Sequence, residues 1–193
     1  MIKILFINGS PRKNGNTEII LREIIGSAKR EGADAEIINL VDFTLEPCNG
    51  CETCLETGSC IINDDVEKIF EKIKEADGVI IASSVYFFNA TAQLKTFIDR
   101  VGYLNIARKR DPFRNRVGGA IAVAARTGST GALSQIAMFL SASRMIMVAP
   151  LVTVIASGKE TALRDTRGID DAYELAHNII QVAGLTKPLR IVA

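Results

Sequence analysis

The segment Gly78-Val-Ile-Ile-Ala-Ser83 is apolar along almost its whole length, and no other stretch of the chain constrains the fold so tightly. A strand with one wet face alternates apolar and polar residues, whereas a strand that is apolar throughout has to be covered on both sides. Around it, short apolar runs alternate with stretches whose apolar residues recur at helical spacing. The expected strands lie at about 3–7, 35–39, 78–83, 117–124 and 146–148, the last extending through 152–155. The expected helices begin with 17–30, where Ile20, Leu21, Ile24, Ile25 and Ala28 share a face, and continue with one opened by Asp64 and Glu67 as a capping box. Three more are expected at 91–101, 132–142 and 170–183. Five strands alternating with five helices predict an α/β, doubly wound, five-stranded parallel sheet of order 2-1-3-4-5. Residues 1–193 then form one domain, interrupted only by a cysteine-rich loop after strand two at about 46–63.

In such a sheet, ligands bind beyond the carboxyl ends of the strands, where the strand order reverses. Three loops converge there. After strand one, Asn8-Gly-Ser-Pro-Arg-Lys-Asn-Gly-Asn-Thr17 carries the hydroxyls of Ser10 and Thr17, the Asn16 amide and the Arg12 guanidinium next to a helix N-terminus. These are donors suited to a phosphate. The loop lacks both the G-x-G-x-x-G rhythm of dinucleotide sites and the Lys-Ser/Thr pair of a P-loop, and a terminal monophosphate suits it better than a pyrophosphate. After strand three, Ser84-Val85-Tyr86-Phe87-Phe88-Asn89 places three consecutive aromatics in a chain with only 6% aromatic residues. Either they plug the sheet end, or a flat ring lies against Tyr86 or Phe87 with Asn89 or backbone amides at its polar edge. After strand four, Arg126-Thr127-Gly128-Ser129 opens a helix with small residues and free N–H groups, suited to a carbonyl-rich heterocycle whose reduced form is anionic. Arg126 either holds charge near that anion or is a surface arginine.

The chain has four cysteines, Cys48, Cys51, Cys54 and Cys60, spaced C-x2-C-x2-C-x5-C. One short loop of this kind can supply every ligand of an inorganic centre, and its first three cysteines follow an iron–sulfur rhythm. A four-cysteine zinc site usually joins two separated pairs across a longer segment. Redox-active or vestigial thiols are the third reading. Gly58 suits a turn that bends Cys60 back.

Composition removes several functions. The chain holds 23 basic and 22 acidic residues, so neither a nucleic-acid footprint nor an acidic-partner surface is expected. The dense basic group Arg108, Lys109, Arg110, Arg114 and Arg116 has no interleaved aromatics and reads as a solvated loop. The first residues form a strand pattern without a leader, and apolar runs fall short of the roughly 20 residues a membrane helix needs. A cytoplasmic protein without membrane contact is expected, in a compartment that keeps thiols reduced. His177 reads as a helix-face residue, Asp64-Asp65 as a helix cap and Asp99-Arg100 as a surface or interface pair.

The strand-one loop GSPRKNGNT, the C-x2-C-x2-C-x5-C segment and SSVYFFNATAQLKTFIDR, in that order over about the first two-thirds of the chain, resemble the iron–sulfur flavoprotein family. They are also similar to the broader NADPH-dependent FMN reductase group on the flavodoxin-like fold. The resemblance implies FMN, with its phosphate around Ser10, Arg12, Asn16 and Thr17 and its ring between Val85 to Asn89 and the loop beginning at Arg126. It also implies a [4Fe–4S] cluster on Cys48, Cys51, Cys54 and Cys60, a homodimer or homotetramer, and electron exchange between ferredoxin-like donors and small-molecule acceptors. Many relatives carry proline where this chain has Ser84, a departure expected to loosen the loop.

Three functions follow. The first is an electron-transfer flavoprotein joining a one-electron donor to an acceptor through the cluster and FMN. The second is an NAD(P)H-dependent FMN or quinone reductase that needs no cluster. The third is a redox or metal sensor whose cysteine loop reports to a partner.

Overall fold

The alternation of side chains along the strands builds two cores at once. In β1 (Lys3–Asn8), Ile4 and Phe6 enter one buried cluster while Leu5 and Ile7 enter the other, as the two-residue period of a strand requires. In β3 (Gly78–Ser84) the same split puts Ile80 and Ala82 on one side and Val79 and Ile81 on the other. β4 (Val117–Ala124) is buried at every residue. The continuous apolar run thus marks a central strand covered on both faces. The computed structural model describes residues 1–189, and the last four residues of the expected domain, 190–193, lie outside the described residues.

With β2 (Asp34–Asn39), the strands are parallel and ordered β2-β1-β3-β4-β5, as predicted. The fifth position differs in detail. β5 (Ile146–Met147) pairs with Val117 and Gly118, and β6 (Val152–Ile155) pairs with Ile121 to Ala124. The stretch between them holds Pro150, which has no N–H to give the ladder, so one expected edge strand becomes two.

α1 (Asn16–Arg30) and α6 (Thr166–Thr186) contribute to the core on one face of the sheet. α3 (Val66–Glu75), α4 (Ala92–Ala107) and α5 (Ser129–Ala142) contribute to the core on the other. A single turn, α2 (Thr53–Thr57), lies inside the cysteine segment where no helix was expected. α4 runs past the expected end at 101 because Leu104 continues its buried stripe. α6 starts before the expected 170 because the Asp165 carboxylate accepts from Gly168 N and caps it. No helix among the described residues is long and apolar enough to cross a membrane.

The capping box expected of Asp64 and Glu67 does not form. Asp65 holds the N-cap position of α3 without a side-chain cap bond. Asp64 turns inward to pair with Arg100, keeping only the Val66 N–H (3.1 Å) of the helix start, while Glu67 faces Cys60 N and Arg108. A buried guanidinium binds a carboxylate more strongly than a single helix-end amide does.

Candidate functional site

The loop after β1 is shaped by its own side chains. Asn8 Oδ1 accepts from Ser10 N (3.0 Å), and Ser10 Oγ accepts from Arg12 N (3.2 Å). The buried Glu18 carboxylate accepts from Asn14 N at 2.6 Å, steadying Asn14 in the left-handed region. From the other side, Thr91 Oγ1 donates to Gly9 O (2.5 Å) while accepting from Leu94 N as the cap of α4. The loop is therefore braced before any ligand arrives.

Beside it opens a cleft of about 690 Å³, whose lining includes Ser10, Arg12, Asn16, Ser84, Val85, Tyr86, Val123 and Ala156. α1 begins here at Gly15, with no side chain capping its first turn. α5 begins close to the cleft's Ala125 edge at Gly128, also uncapped. α4 and α6 by contrast carry Thr91 and Asp165 as side-chain caps. Uncapped helix starts leave N–H groups facing outward, the elementary requirement for holding an anion.

Five of the expected residues, Ser10, Arg12, Asn16, Val85 and Tyr86, line this cleft together. The Asn16 side chain is already engaged: it donates to Gly158 O (2.6 Å) and accepts from Thr161 N (2.9 Å). That leaves its main-chain N–H at the helix start. Thr17 is buried behind the lining, its hydroxyl 2.9 Å from Ser84 Oγ. Ser84 therefore ties the end of β3 to the start of α1, where a loosened loop was expected. Phe87, Asn89, Thr127, Gly128, Ser129 and Arg126 do not line the cleft and stand on the two neighbouring loops.

Those two loops pack on each other. Tyr86 and Asn89 exchange backbone bonds (2.8 and 3.1 Å) to close a tight hairpin, with Phe87 and Phe88 in the left-handed region at its tip. The aromatics do not plug the sheet end, since Phe87 is 99% exposed and Phe88 and Tyr86 are also exposed. A Cβ on Gly131 would overlap the Phe88 carbonyl oxygen, and one on Gly128 (φ +90°) would come within 2.9 Å of Phe88 Cα. Only glycine allows this approach. Arg126 and Thr127 are exposed beside the hairpin.

Lys13, Lys159 and Glu160 also line the cleft without having been singled out. The signal for Lys159 was topological, because the loop after the last strand ends at the same sheet edge. A second hollow of about 470 Å³, between α4 and α5, is largely apolar and is lined by none of the expected site residues.

The four cysteines carry no disulfide and all line one small cavity, of about 20 Å³, together with Arg100, Tyr103 and Leu104. Gly50, Glu52 and Gly58 turn the chain through left-handed conformations. Gly58 N closes on Cys54 O at 2.8 Å, which is the expected turn before Cys60. Thr53 backbone and side chain lower the Cys51 thiol. Burial pushes the Cys54 thiol up, and negative charge on Cys60, Cys51 and Cys48 pushes it further. Such mutual repulsion is relieved by a cationic centre, so the donor set fits one. Among the described residues no three Cys, His, Asp or Glu side chains stand ready-made as a metal-ligating group.

Two arginines hold this loop, and neither was foreseen. Arg100 is 2% exposed on the inner face of α4, so the expected surface pair with Asp99 is absent; Asp99 instead pairs with Lys95 at 2.6 Å. Arg100 Nη1 donates to Asp64 Oδ2 (2.8 Å) and Glu46 O (2.5 Å), and its Nη2 donates to Asp64 Oδ1 (3.0 Å) and Cys60 Sγ (3.2 Å). The position was legible in hindsight: residue 100 falls between Phe97, Val101 and Leu104 on the buried stripe. Arg108 does not belong to a solvated loop. It stacks 4.3 Å from the Phe70 ring centre and donates to Gly58 O (2.9 Å) and Glu67 (2.8 Å). Arg114 does pair locally with Asp111 at 3.0 Å, and His177 faces outward beside Glu31 at 2.8 Å.

The family model for NADPH-dependent FMN reductase matches residues 2–160, which span the cleft loops and the cysteine segment. The chain belongs to the NADPH-dependent FMN reductase family. This member is 40% identical to an iron–sulfur flavoprotein of Methanocaldococcus jannaschii, over 92% of this chain and 93% of that one. It is 32% identical to an iron–sulfur flavoprotein of Methanosarcina thermophila, over 98% of this chain and 99% of that one. Among solved structures it resembles RosB with a bound flavin-phosphate intermediate (TM-score 0.76, 16% identity, 100% of this chain and 83% of that one). An archaeal flavodoxin is also similar (TM-score 0.59, 15% identity, 93% and 99%). At these identities the two structures establish the flavodoxin-like fold alone. As a member of the iron–sulfur flavoproteins within the FMN reductase family, the protein is an FMN flavoprotein and a flavin-dependent oxidoreductase.

Proposed function

We propose that the protein is an electron carrier in which FMN occupies the cleft at the ends of β1, β3 and β4 and a [4Fe–4S] cluster occupies the cysteine loop. The observation that carries the proposal is the pairing of two prepared sites: a braced loop with an uncapped helix start, and four thiols lining one cavity. FMN, when bound, supplies a centre able to take electrons singly or in pairs, joining one-electron to two-electron chemistry.

The residues have separable roles. Ser10, Arg12 and the N–H groups of Asn16 and Thr17 hold the phosphate of FMN, with Arg12 supplying the full positive charge. Val85, Tyr86, Phe87 and Asn89 on one loop, and Arg126, Thr127, Gly128 and Ser129 on the other, flank the ring and keep water from its faces. Main-chain N–H groups at the start of α5 and the Arg126 guanidinium stabilise negative charge on the reduced ring. Cys48, Cys51, Cys54 and Cys60 hold the cluster. A ferredoxin-like protein supplies single electrons, a small molecule accepts them, and the working unit is a homodimer or homotetramer in the cytoplasm.

Match to the FMN reductase family model also favours NAD(P)H as donor to the flavin without a working cluster. Anaerobic purification followed by FMN, iron and sulfide analysis separates the two. About four iron and four sulfide with one FMN per chain is the expected result. FMN without iron, even after anaerobic reconstitution, overturns the two-centre carrier and leaves the NAD(P)H-dependent reductase.

A further inference from the structure

We infer that Arg100 is the residue that sets the reduction potential of the centre held by the cysteine loop, by donating a charged hydrogen bond to the sulfur of Cys60. This inference rests on the proposed cluster and adds a role that cysteine spacing does not contain.

The geometry is specific. An arginine sits at a core position of α4, 2% exposed, between Phe97 and Val101. Both terminal nitrogens are shared between Asp64 and a second acceptor: Nη1 with the Glu46 carbonyl, Nη2 with Cys60 Sγ at 3.2 Å. Arg100 lines the same cavity as all four cysteines, and its Nε is buried without a partner. A lysine could not span this arrangement, because a point ammonium lacks the planar fork that addresses a carboxylate and a sulfur together. Asp64 lies almost wholly out of water, its side chain 1% exposed, and fixes the fork so that one edge faces the sulfur.

The consequence is a matter of charge. A cluster held by these cysteines would take up one electron and no proton on reduction, which would leave more negative charge at Cys60 Sγ beside Arg100. A positive donor beside one ligand sulfur stabilises the reduced form more than the oxidised form, and hydrogen bonds to sulfur are a recognised control on such potentials. Screening is weak, because the guanidinium is buried. Cys60 is thereby distinguished from Cys48 and Cys51, which are exposed on the loop.

The test uses the full chain loaded with FMN and reconstituted anaerobically with iron and sulfide. Redox titration with dithionite reads the cluster and flavin potentials separately by their spectra. In Arg100→Gln the cluster potential is expected to fall by about tenfold in the reduction equilibrium, about 59 mV for one electron, with the FMN potentials unchanged. In Arg100→Lys the fall is smaller. An unchanged cluster potential in Arg100→Gln overturns the inference and leaves Arg100 as a structural tie only. If Arg100→Gln does not fold, the double variant Arg100→Gln/Asp64→Asn removes the orphaned carboxylate and is read in the same way. If it folds and binds FMN but takes up no iron, Arg100→Lys decides, a lowered potential supporting the inference and an equal one overturning it. Should the unmodified chain take up no iron and sulfide, the proposed carrier itself falls, and no variant is needed to see it.

Discussion

The cleft beside the β1 loop and the cysteine loop lie after neighbouring strands of one sheet, yet they are built by opposite means. The cleft is made of strand ends and helix starts whose positions follow from the buried sheet, and its polar side chains brace loops that are already short. The cysteine loop runs through about 46–63 with most of its side chains exposed, and it is held from outside by Arg100 of α4 and by Arg108 at that helix's C-terminal end. One site comes with the fold, and the other is attached to it by charge. A loop held in this way should fail locally, by loss of a single ionic contact, while the cleft should fail only when backbone is forced apart.

The severest way to break this contrast is Asp64→Ala, which leaves the buried Arg100 guanidinium unpaired. A loss of about 3–5 kcal/mol is expected, read by urea unfolding of the FMN-bound protein. A loss below about 1 kcal/mol would mean that the loop is not held by charge. Next comes Gly131→Ala, whose methyl overlaps the Phe88 carbonyl and forces the two rim loops apart. About 1–3 kcal/mol of strain is expected, with weaker FMN binding by fluorescence titration and unchanged iron uptake. Equal losses of FMN and iron would show that the two sites are not separable.

Acid should release the cysteine loop before the sheet. Burial raises the Asp64 carboxyl, but the Arg100 guanidinium and the Glu46 and Val66 N–H groups outweigh it and hold the group below the usual carboxylate range. A lowered folded value gives stability that is fully present above the unfolded value of about 3.9 and is lost as pH falls through the folded value. Proteolysis by pepsin over that range should cut first within 46–63, and in Asp64→Asn this acid step should disappear. First cleavage elsewhere would count against the charge-held loop. The smallest effect is expected of Phe87→Ala, within about 0.5 kcal/mol by urea unfolding, because the ring is almost wholly exposed. A larger destabilisation would show that the hairpin tip is part of the fold and not a lip of the cleft.

Much of the cleft was legible because it depends on local pattern. The apolar run at 78–83 announced a central strand, and glycine, serine and asparagine after β1 announced a loop at a helix start. Ser10, Arg12, Asn16, Val85 and Tyr86 then fell into one lining because strand order alone brings those loops together. Less was legible where a side chain chose between partners. Asp64 had the spacing of a capping box and went to Arg100 instead; Asn16 had the chemistry of a phosphate donor and spent its amide on the loop after β6. Pro150 split the edge strand although the apolar pattern continued across it.

By itself the amino-acid sequence determined where the strands and helices lie, the two-sided burial of the central strands and the clustering of the cysteines, because periodicity and spacing act over a few neighbouring residues. Only the tertiary structure decided that Arg100 is a core residue bound to Cys60 and Asp64, that Arg108 clasps Gly58, and that Ser84 meets Thr17. Those contacts join residues 36, 40, 50 and 67 positions apart. A charged group's partner is set by whichever opposite charge the packed helices carry into reach, and no local pattern records that distance.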